Sequence, residues 1–466
     1  MWNMGLTRKE VLALLAMAFA VFMDGLDASI VNIALPSIAE SFGTDTNAVA
    51  WVTITYFMMI AGMMLSFGRL AESGHIRKVY VIGFALFSGA SLLCGLSPDL
   101  GTLVAARVIQ GIGAAMIGAV APMICVKFLP SSKLGLALSI LMLSGAVGFG
   151  AGPAVGGFIV DLSSWHWAFF INVPIGLVAI LFALRALPRD EATTTSKLDM
   201  KGSILIFIAM LCIVYVLEMF SQDGQAIICA ILAPISIVCF ILFIKVERKC
   251  DNPMLNLRMF KDWRFDSTVL CYTILNLSYM GIAYIVPFYL TKELELSYTF
   301  SGLIILIPSV VTIILSIPAG RYSDSHGRRG LAIIASIFML LSVIGYYLVS
   351  PEMGWLPFVF IGILGGLFWG MCGNIASRIV DLSIDEEKGM ASTMTSFLYY
   401  IGGSIGTAAF ASLLTFGSGS IGVPIEEISS AAFMDGYTFA VMFAIPLCVV
   451  SVILAWIVNE KKIRTS

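Results

Sequence analysis

Ten consecutive residues, Gly148-Phe149-Gly150-Ala151-Gly152-Pro153-Ala154-Val155-Gly156-Gly157, lie in the middle of an apolar stretch of this sequence. Glycine and proline at this density would break a helix in water. No charged residue occurs between Gly135 and Val160, and an uncharged run of this length predicts a membrane span. Within a membrane, small residues three or four positions apart let two helices approach closely, and Pro153 predicts a bend. The stretch therefore predicts a transmembrane helix with a smooth face, which is either a static helix contact or a surface on which two helical bundles rock.

The composition predicts that the whole chain lies in a membrane. Of its 466 residues, 59% are hydrophobic and 12% are charged, whereas soluble domains are about a quarter charged. The mean hydropathy is +0.97. Apolar runs of about 20 residues predict an all-α membrane protein with fourteen membrane-spanning helices. Their predicted starts are Val11, Val49, Val79, Leu103, Leu134, Ala168, Gly202, Ala226, Thr268, Ser301, Leu331, Leu356, Met390 and Tyr437.

The positive charges predict the orientation of these helices. Because their number is even, both termini lie on one side of the membrane. If that side is the cytoplasm, all but two of the 27 Lys and Arg residues are cytoplasmic, the exceptions being Arg107 within a span and Lys292. Lysine and arginine are enriched in cytoplasmic loops of membrane proteins. We therefore expect a multi-pass protein of the cell membrane with both termini in the cytoplasm.

Two loops of the sequence resemble each other. Gly68-Arg69-Leu70-Ala71-Glu72 follows the second predicted span, and Gly320-Arg321-Tyr322-Ser323-Asp324 follows the tenth. Such repeats are typical of transporters built from two related halves. Because six-helix halves would place the copies six spans apart, two additional helices are expected between the halves. The predicted parts are an N-terminal six-helix bundle (1–187), a linker with two central helices (188–262) and a C-terminal six-helix bundle (263–466).

Three ionisable residues lie inside predicted spans, where burial of a charge is costly. Asp24 and Asp27 are in the first span and Arg107 is in the fourth. Burial favours the neutral form of a carboxyl group, whereas a nearby arginine favours its charged form. Arg107 either neutralises one aspartate as a structural pair or takes part in proton binding. We predict that Asp27, Arg107 and Asp24 couple transport to protons, with exchange if substrate and proton compete for the carboxylates.

Several patterns resemble those of the fourteen-span drug:proton antiporter branch of the major facilitator superfamily. The glycine-rich stretch resembles the antiporter signature GxxxGPxxGG of that family. Leu26–Pro36 is similar to LDxTxxNxALP, with serine in place of threonine, and Leu103–Gly113 is similar to LxxxRxxQGxG, whose Arg the family links to proton transfer. Trp165–Gly176 is similar to a third family pattern, in which His166 replaces the usual arginine. The resemblance implies a fold of two six-helix bundles with two central helices, and a multidrug-efflux function.

Both repeated loops also resemble the GxLaDrxGrr motif of this family, whose acidic and basic residues latch one conformation. The second copy matches in register, but in the first copy Glu72 replaces the aspartate, and His75 and Ile76 replace a glycine and an arginine. Either Arg77 and Lys78 take over the latch, or the N-terminal latch is weak. The predicted conformational residues are Gly148, Gly152, Pro153, Gly156, Gly157, Gly68, Glu72, Arg77, Gly320, Asp324, Gly327 and Arg328.

These observations predict a secondary active transporter that exports small organic, lipophilic and cationic compounds in exchange for protons. One alternative is a proton-coupled carrier of a single metabolite or antibiotic on the same fold. Another is a sensor or scaffold that transports nothing, although a scaffold would have no reason to retain costly buried charges. The candidate substrate contacts are Asp24, Asp27, Gln110, Asn276, Tyr279, Asn374, Tyr399 and Tyr400.

Other classes of function find no support in the sequence. It contains neither an HExxH pattern nor a GxxxxGK[ST] pattern, so zinc hydrolysis and nucleotide-driven pumping are not indicated. The nine cysteines are scattered and form no CxxC pair, which argues against a metal site or a disulfide framework. We expect a protein that is not an enzyme, uses no cofactor, nucleotide or nucleic acid, and functions as a monomer in the lipid bilayer.

Overall fold

The structure, a computed structural model, describes residues 6–44, 46–162, 164–190, 199–219, 224–250, 253, 255–420 and 428–458. Helices account for its regular secondary structure, and no β-strand occurs in these ranges. An apolar chain in lipid must satisfy its backbone hydrogen bonds internally, and an α-helix does so within one segment.

Fourteen long helices occur in the described part of the chain, close to the predicted positions. They are α1 (Arg8–Phe42), α2 (Thr46–Leu70), α3 (Ile76–Gly95), α4 (Leu100–Phe128), α5 (Leu134–Leu162), α6 (Asn172–Ala186), α7 (Met200–Met219), α8 (Ala226–Glu247), α9 (Trp263–Phe288), α10 (Tyr298–His326), α11 (Arg329–Leu348), α12 (Leu356–Leu382), α13 (Lys388–Gly417) and α14 (Ser430–Ile457). A short helix, His166–Phe170, precedes α6.

The predicted all-α membrane fold is confirmed. Thirteen segments of the described chain are long and apolar enough to span a membrane, and one of them, Trp51–Gly95, contains α3 and most of α2. The turn between these two helices includes Gly74, whose φ of 101° few other residues tolerate. Gly327 ends α10 with a φ of 88°. In the first repeated loop the glycine of the turn is therefore Gly74. The motif has its glycine one position later, where this chain has His75.

The chain forms two compact units. The first unit consists of Met1–Leu211, Ser236–Leu257 and Ile384–Phe397, and the second consists of Cys212–Ile235, Arg258–Ser383 and Leu398–Ser466. Helices α1 to α6 belong to the first unit, and α9 to α12 and α14 belong to the second. The bundle limits expected at residues 187 and 262 remain a prediction.

The two units repeat one pattern of helix pairs. In the first unit α4 packs against α2 and α3, and α6 packs against α1 and α3. In the second unit α12 packs against α10 and α11, and α14 packs against α9 and α11. Each pair recurs eight helices later in the chain, which is the offset of the two repeated loops. The internal repeat of the sequence is therefore also a repeat of helix packing.

The glycine-rich stretch packs against α1, within the first unit. A Cβ atom on Gly148 would collide with the backbone oxygen of Phe22, and one on Gly152 would collide with the side chain of Ser29. A Cβ on Gly156 would make an ordinary contact of 3.5 Å with Ile30. The stretch is thus a helix contact inside one bundle, and Gly148 and Gly152 are its closest points. Pro153 and Gly157 lie in α5, and their surroundings are outside the described part of the structure.

The two helices that carry the predicted charges begin with reciprocal caps. At the start of α1 the Thr7 hydroxyl accepts from the backbone of Glu10, whose carboxylate in turn accepts from the backbone of Thr7. Asp99 and Thr102 form the same arrangement at the start of α4. Such caps satisfy backbone N–H groups that have no partner within the helix.

We predict that Gly148→Ala destabilises the protein by about 1–3 kcal/mol, because overpacking a close helix contact forces the backbones apart. Gly156→Ala is the matched control on the same helix and should be tolerated, since its Cβ finds ordinary contact distance. The measurement is thermal unfolding of each purified variant in detergent. Equal melting temperatures for the two variants would contradict the assigned contact.

Candidate functional site

The first unit contains a fully buried ion pair between α1 and α4. The side chain of Asp27 is 0% exposed and that of Arg107 is 1% exposed. Arg107 Nη1 donates to Asp27 Oδ2 at 2.8 Å. Asp27 lies within an apolar cluster formed by α1, α2, α3 and α4 with the short helix, whose members include Leu26, Ile30 and Phe169. The desolvation cost of burying two charged side chains can exceed the attraction between them. The hydrogen bonds that neighbouring groups make to the pair therefore decide whether it is stable.

Three neutral polar side chains complete the network around this pair. Gln110 Nε2 donates to Asp27 Oδ1 at 3.0 Å and to the Ser91 hydroxyl at 2.8 Å. Gln110 Oε1 accepts from Arg107 Nη1 at 2.7 Å. Asn172, at the start of α6, donates from Nδ2 to Asp27 Oδ1 at 2.6 Å. The Asp27 carboxylate thus accepts three hydrogen bonds, from side chains on two other helices.

Arg107 makes further contacts that a lysine could not reproduce. Its Nε donates to the backbone oxygen of Val52, on α2, at 2.9 Å. Its Cζ atom lies 4.0 Å from the ring centroid of Tyr56 and 5.9 Å from that of Phe169, which are cation–π distances. The planar guanidinium therefore links α1, α2 and α4 at one point.

Asp24 lies one helical turn before Asp27 and has a different environment. It is half-buried, and its Oδ1 accepts a hydrogen bond of 3.0 Å from the Tyr56 hydroxyl. It also borders a small cavity. The cavity is lined by Ala20, Met23, Asp24, Phe87, Ala114 and Ile117. The two aspartates of α1 are therefore held by different partners, Asp27 by Arg107 and Asp24 by Tyr56.

Three of the predicted substrate contacts belong to an aromatic cluster in the second unit. Tyr279, on α9, stacks on Trp369 of α12, with ring centroids 4.8 Å apart and planes 12° apart. The ring of Tyr399 lies 5.9 Å from Trp369 and 5.2 Å from Tyr400. Trp369 was absent from the sequence prediction, because a single tryptophan in an apolar run carries no distinguishing pattern.

The two predicted asparagines of the second unit are hydrogen-bonded to their own helices. Asn276 Nδ2 donates to the Tyr272 backbone oxygen at 2.7 Å, and Asn374 Nδ2 donates to the Met371 backbone oxygen at 3.1 Å. Both side chains are fully buried. In this geometry the Nδ2 of each asparagine is bonded to its own helix, which gives no direct indication of a ligand contact.

The first repeated loop forms an ionic cluster with the start of α13. Arg69 Nη1 lies 2.9 Å from Glu72 Oε2 and 3.3 Å from Glu387 Oε2. Glu72 Oε1 accepts from the backbone N–H of Met390 at 3.1 Å, and Glu387 Oε1 accepts from Asn256 at 3.3 Å. A carboxylate at a helix N-terminus is stabilised by the free N–H groups there. Glu72 therefore caps the N-terminus of α13.

Gly68 and Arg77, at the two ends of this loop, have separate partners. A Cβ on Gly68 would lie 2.6 Å from the Thr393 side chain, so α2 and α13 touch there. Arg77 donates from Nη2 to the backbone oxygen of Leu184 at 2.9 Å, and its backbone N–H donates to Asp190. Arg77 thus holds the end of α6, and the basic side chain that pairs with Glu72 is Arg69.

The second repeated loop forms its own ionic cluster inside the second unit. Arg328 lies between Asp324, 3.7 Å away, and Asp381 near the end of α12, with which it forms an ion pair. Arg328 Nη1 also donates to the backbone oxygen of Ser377 at 3.3 Å. Gly320 lies within α10, one turn before Asp324. The two copies of the motif therefore both join an acidic and a basic side chain.

The structure brings together part of the predicted site in each unit. In the first unit Asp24, Asp27, Arg107 and Gln110 lie in one connected network. The sequence prediction missed Tyr56 and Asn172 as members of this network. The available signal was a polar side chain inside an apolar helix, which does not indicate what that side chain contacts.

In the described part of the chain, fourteen long apolar helices, a repeated pattern of helix pairs and a buried ion pair are the features of a multi-pass membrane transporter. Comparison with known families agrees: the model of the Major Facilitator Superfamily matches residues 17–407 and, in a second match, residues 268–465. The chain belongs to the Major Facilitator Superfamily.

Individual relatives differ in the substrates for which they are named. The chain is 26% identical to the riboflavin transporter RibZ of Clostridioides difficile (strain 630) over 408 residues. The aligned residues cover 87% of this chain and 88% of RibZ. The chain is 28% identical over 454 residues to MdtD of Salmonella paratyphi A, a protein named for multidrug resistance. The aligned residues cover 95% of this chain and 94% of MdtD.

Solved structures of transporters share the fold. The human organic anion transporter MFSD10 (TETRAN) matches with a TM-score of 0.67 and 12% identity, over 96% of this chain and 99% of that one. The proton:xylose symporter XylE matches with a TM-score of 0.66 and 14% identity, over 97% of this chain and 96% of that one. At these identities the likeness concerns the fold alone.

We predict that Arg107→Met destabilises the protein by about 3–5 kcal/mol, because it leaves the Asp27 carboxylate buried without its counter-ion. Adding Asp27→Asn to Arg107→Met should recover part of this loss, since the unpaired charge is then gone. The measurement is the free energy of unfolding of the three proteins in detergent. A double variant that is less stable than Arg107→Met would show that the pair is not the cause.

Proposed function

We propose that the chain is a proton-coupled antiporter of the multidrug-efflux type, which exports small organic cations in exchange for protons. The observation that carries this proposal is the fully buried pair of Asp27 and Arg107. Charged residues inside membrane proteins are costly and mark ion pathways and proton relays. In this proposal the protein works as a monomer with both termini in the cytoplasm, as its positive charges favour.

The hydrogen bonds around Asp27 support a link between proton binding and helix packing. Both oxygens of Asp27 accept hydrogen bonds, Oδ1 from two donors and Oδ2 from one, as suits a carboxylate that carries no proton. A proton on either oxygen displaces a donor and removes the charge that attracts Arg107. Because Arg107 also binds the Val52 backbone, its displacement alters the contact between α2 and α4. Protonation of Asp27 would in this way be coupled to a change of conformation.

Asn172 supports the same proposal, since its carboxamide can serve both forms of Asp27. Its Nδ2 donates to the carboxylate, and its Oδ1 has no hydrogen-bond partner among the described residues. Rotation of the carboxamide by half a turn would bring Oδ1 to Asp27, where it would accept the hydrogen of the protonated acid. Asp27 would then remain hydrogen-bonded through the proton cycle.

The environment of Asp24 supports a cationic substrate. A half-buried carboxylate in a low-dielectric environment attracts a lipophilic cation. Aromatic rings such as those of Tyr279 and Trp369 bind flat and cationic ligands on their faces. A membrane potential adds roughly 2.3 kcal/mol per charge moved across 100 mV, which is enough to support a concentration gradient.

A dedicated carrier of one compound is the second candidate. The observation that favours it is the stack of Tyr279 on Trp369, because aromatic rings of this kind suit a planar heteroaromatic compound. RibZ, a relative, is named for transport of riboflavin. Direct comparison of riboflavin with a panel of lipophilic cations in reconstituted vesicles separates the two candidates.

We predict that Asp27→Asn abolishes exchange driven by a pH gradient, because an asparagine cannot carry the proton. The measurement is substrate uptake and proton flux in proteoliposomes with an imposed pH gradient and no membrane potential. Asp99→Asn is the control, since it removes a carboxylate outside the network and keeps a good helix cap. Accumulation of substrate by Asp27→Asn under the pH gradient alone would place the proton site elsewhere.

We predict that Asp24→Asn weakens binding of lipophilic cations by about tenfold or more and leaves binding of neutral aromatic compounds within about twofold, since only the charge is removed. Dications should lose more than monocations. Equilibrium binding to the purified protein in detergent measures both. An equal loss for neutral and cationic compounds would mean that Asp24 has a structural role only.

A further inference from the structure

Tyr56 contacts Asp24 directly, and it contacts Arg107, the partner of Asp27. Its side chain is 0% exposed. Its hydroxyl donates to Asp24 Oδ1 at 3.0 Å, and its ring centroid lies 4.0 Å from Arg107 Cζ. Arg107 in turn donates to Asp27 at 2.8 Å. The Tyr56 side chain therefore connects two groups. Its hydroxyl contacts Asp24, and the face of its ring contacts Arg107 of the ion pair with Asp27.

We propose that Tyr56 is the positioning residue through which cation binding at Asp24 expels the proton from Asp27; this inference rests on the function proposed above. Arg107 is shared between the Asp27 carboxylate and the Tyr56 ring. A cation at Asp24 competes with the Tyr56 hydroxyl and draws the ring away from Arg107. Arg107 then loses its contact with the Tyr56 ring and interacts more strongly with Asp27, which favours the carboxylate and releases the proton.

The same contacts act in the reverse direction, as linkage requires. A proton on Asp27 removes the charge that holds Arg107, so the guanidinium moves towards the Tyr56 ring. The ring is then held in place, and its hydroxyl occupies the Asp24 oxygen that a cation would need. Proton and cation exclude each other, which is the condition for exchange and not for cotransport.

The packing around Tyr56 restricts its motion to the side chain. A Cβ on Gly111 would lie 2.8 Å from the Tyr56 backbone oxygen, so the backbones of α2 and α4 are in close contact there. The Phe87 ring packs against the Tyr56 ring with centroids 6.5 Å apart. Phe87 and Asp24, which contact the ring and the hydroxyl of Tyr56, both border the small cavity.

The other titratable and charged groups near Asp27 do not supply this link. Arg107 approaches from α4, and Cys94 approaches from α3, where its thiol donates to Gln110 Oε1 at 3.6 Å. Asp24 is on the same helix as Asp27, and α6 contributes the neutral carboxamide of Asn172. The side chain that contacts both Asp24 and Arg107 is Tyr56, on α2.

The test is Tyr56→Phe, which keeps the ring over Arg107 and removes the hydroxyl from Asp24. Binding of tetraphenylphosphonium to the purified protein is measured across a pH series, together with proton release on binding. In the parent protein the affinity should rise with pH, by a factor of about 5–150 across the series as is typical of coupled sites. In Tyr56→Phe that factor should fall towards one.

Tyr80→Phe is the matched control. Tyr80 is also 0% exposed in the first unit, and its hydroxyl donates to the Ala16 backbone oxygen at 2.7 Å, on α1 but away from the carboxylates. It removes an equivalent buried hydroxyl and should leave the pH dependence of binding unchanged. Loss of pH dependence in both variants would mean that a general loss of packing is the cause, and would overturn the inference.

Further outcomes separate this inference from the proposed function. A flat pH dependence in Asp27→Asn, with parental behaviour in Tyr56→Phe, would overturn the role of Tyr56 and leave the proton site intact. Parental pH dependence in Asp27→Asn would overturn both. If Tyr56→Phe does not fold, 3-fluorotyrosine at position 56 gives a spectroscopic test. Its fluorine resonance should shift when the cation is added and also when Asp27→Asn is introduced, and a resonance insensitive to either change would overturn the inference.

Discussion

A buried ion pair sets the constraint on which the first unit depends. Water cannot solvate Asp27 and Arg107 where they lie, so protein groups must supply every hydrogen bond that the two charges require. Gln110, Asn172 and the Val52 backbone do so. Together with Asp27 on α1, these groups come from four helices, and their directions fix how those helices pack. Burial of the ion pair alone is therefore costly. Together with its hydrogen-bond partners, the pair specifies how these helices pack.

Close contact with α5 holds α1, the helix that carries Asp24 and Asp27, in its position. In lipid the hydrophobic effect gives little drive for helices to associate, so van der Waals contact between smooth faces must supply it. Gly148 and Gly152 allow this approach, because any larger side chain there would meet the backbone or Ser29 of α1. The glycine-rich stretch thus supports the position of Asp24 and Asp27.

The two units share a pattern of helix pairs and differ in chemistry. The membrane interior of the first unit holds the ion pair and its polar partners, whereas that of the second holds stacked aromatic rings, centred on Trp369 and Tyr279. The repeated loops differ in a similar way, since Glu72 caps a helix and Asp324 pairs with Arg328. The repeated fold therefore carries charged and polar side chains in one unit and stacked aromatic rings in the other.

The sequence by itself determined the helices and the residues that cost most to bury. A membrane leaves few alternatives for an apolar chain, so hydropathy gave thirteen of the fourteen helix starts within a few residues, and α14 alone begins clearly earlier than expected. Asp27 and Arg107 were recognisable because charge inside a span is rare. Only the tertiary structure decided that Tyr56 joins Asp24 to Arg107, that Asn172 reaches Asp27, and that Gly148 is a closer contact than Gly156. These contacts join residues distant in sequence, and the relative rotation and height of packed helices, which no local pattern encodes, determine which side chains meet.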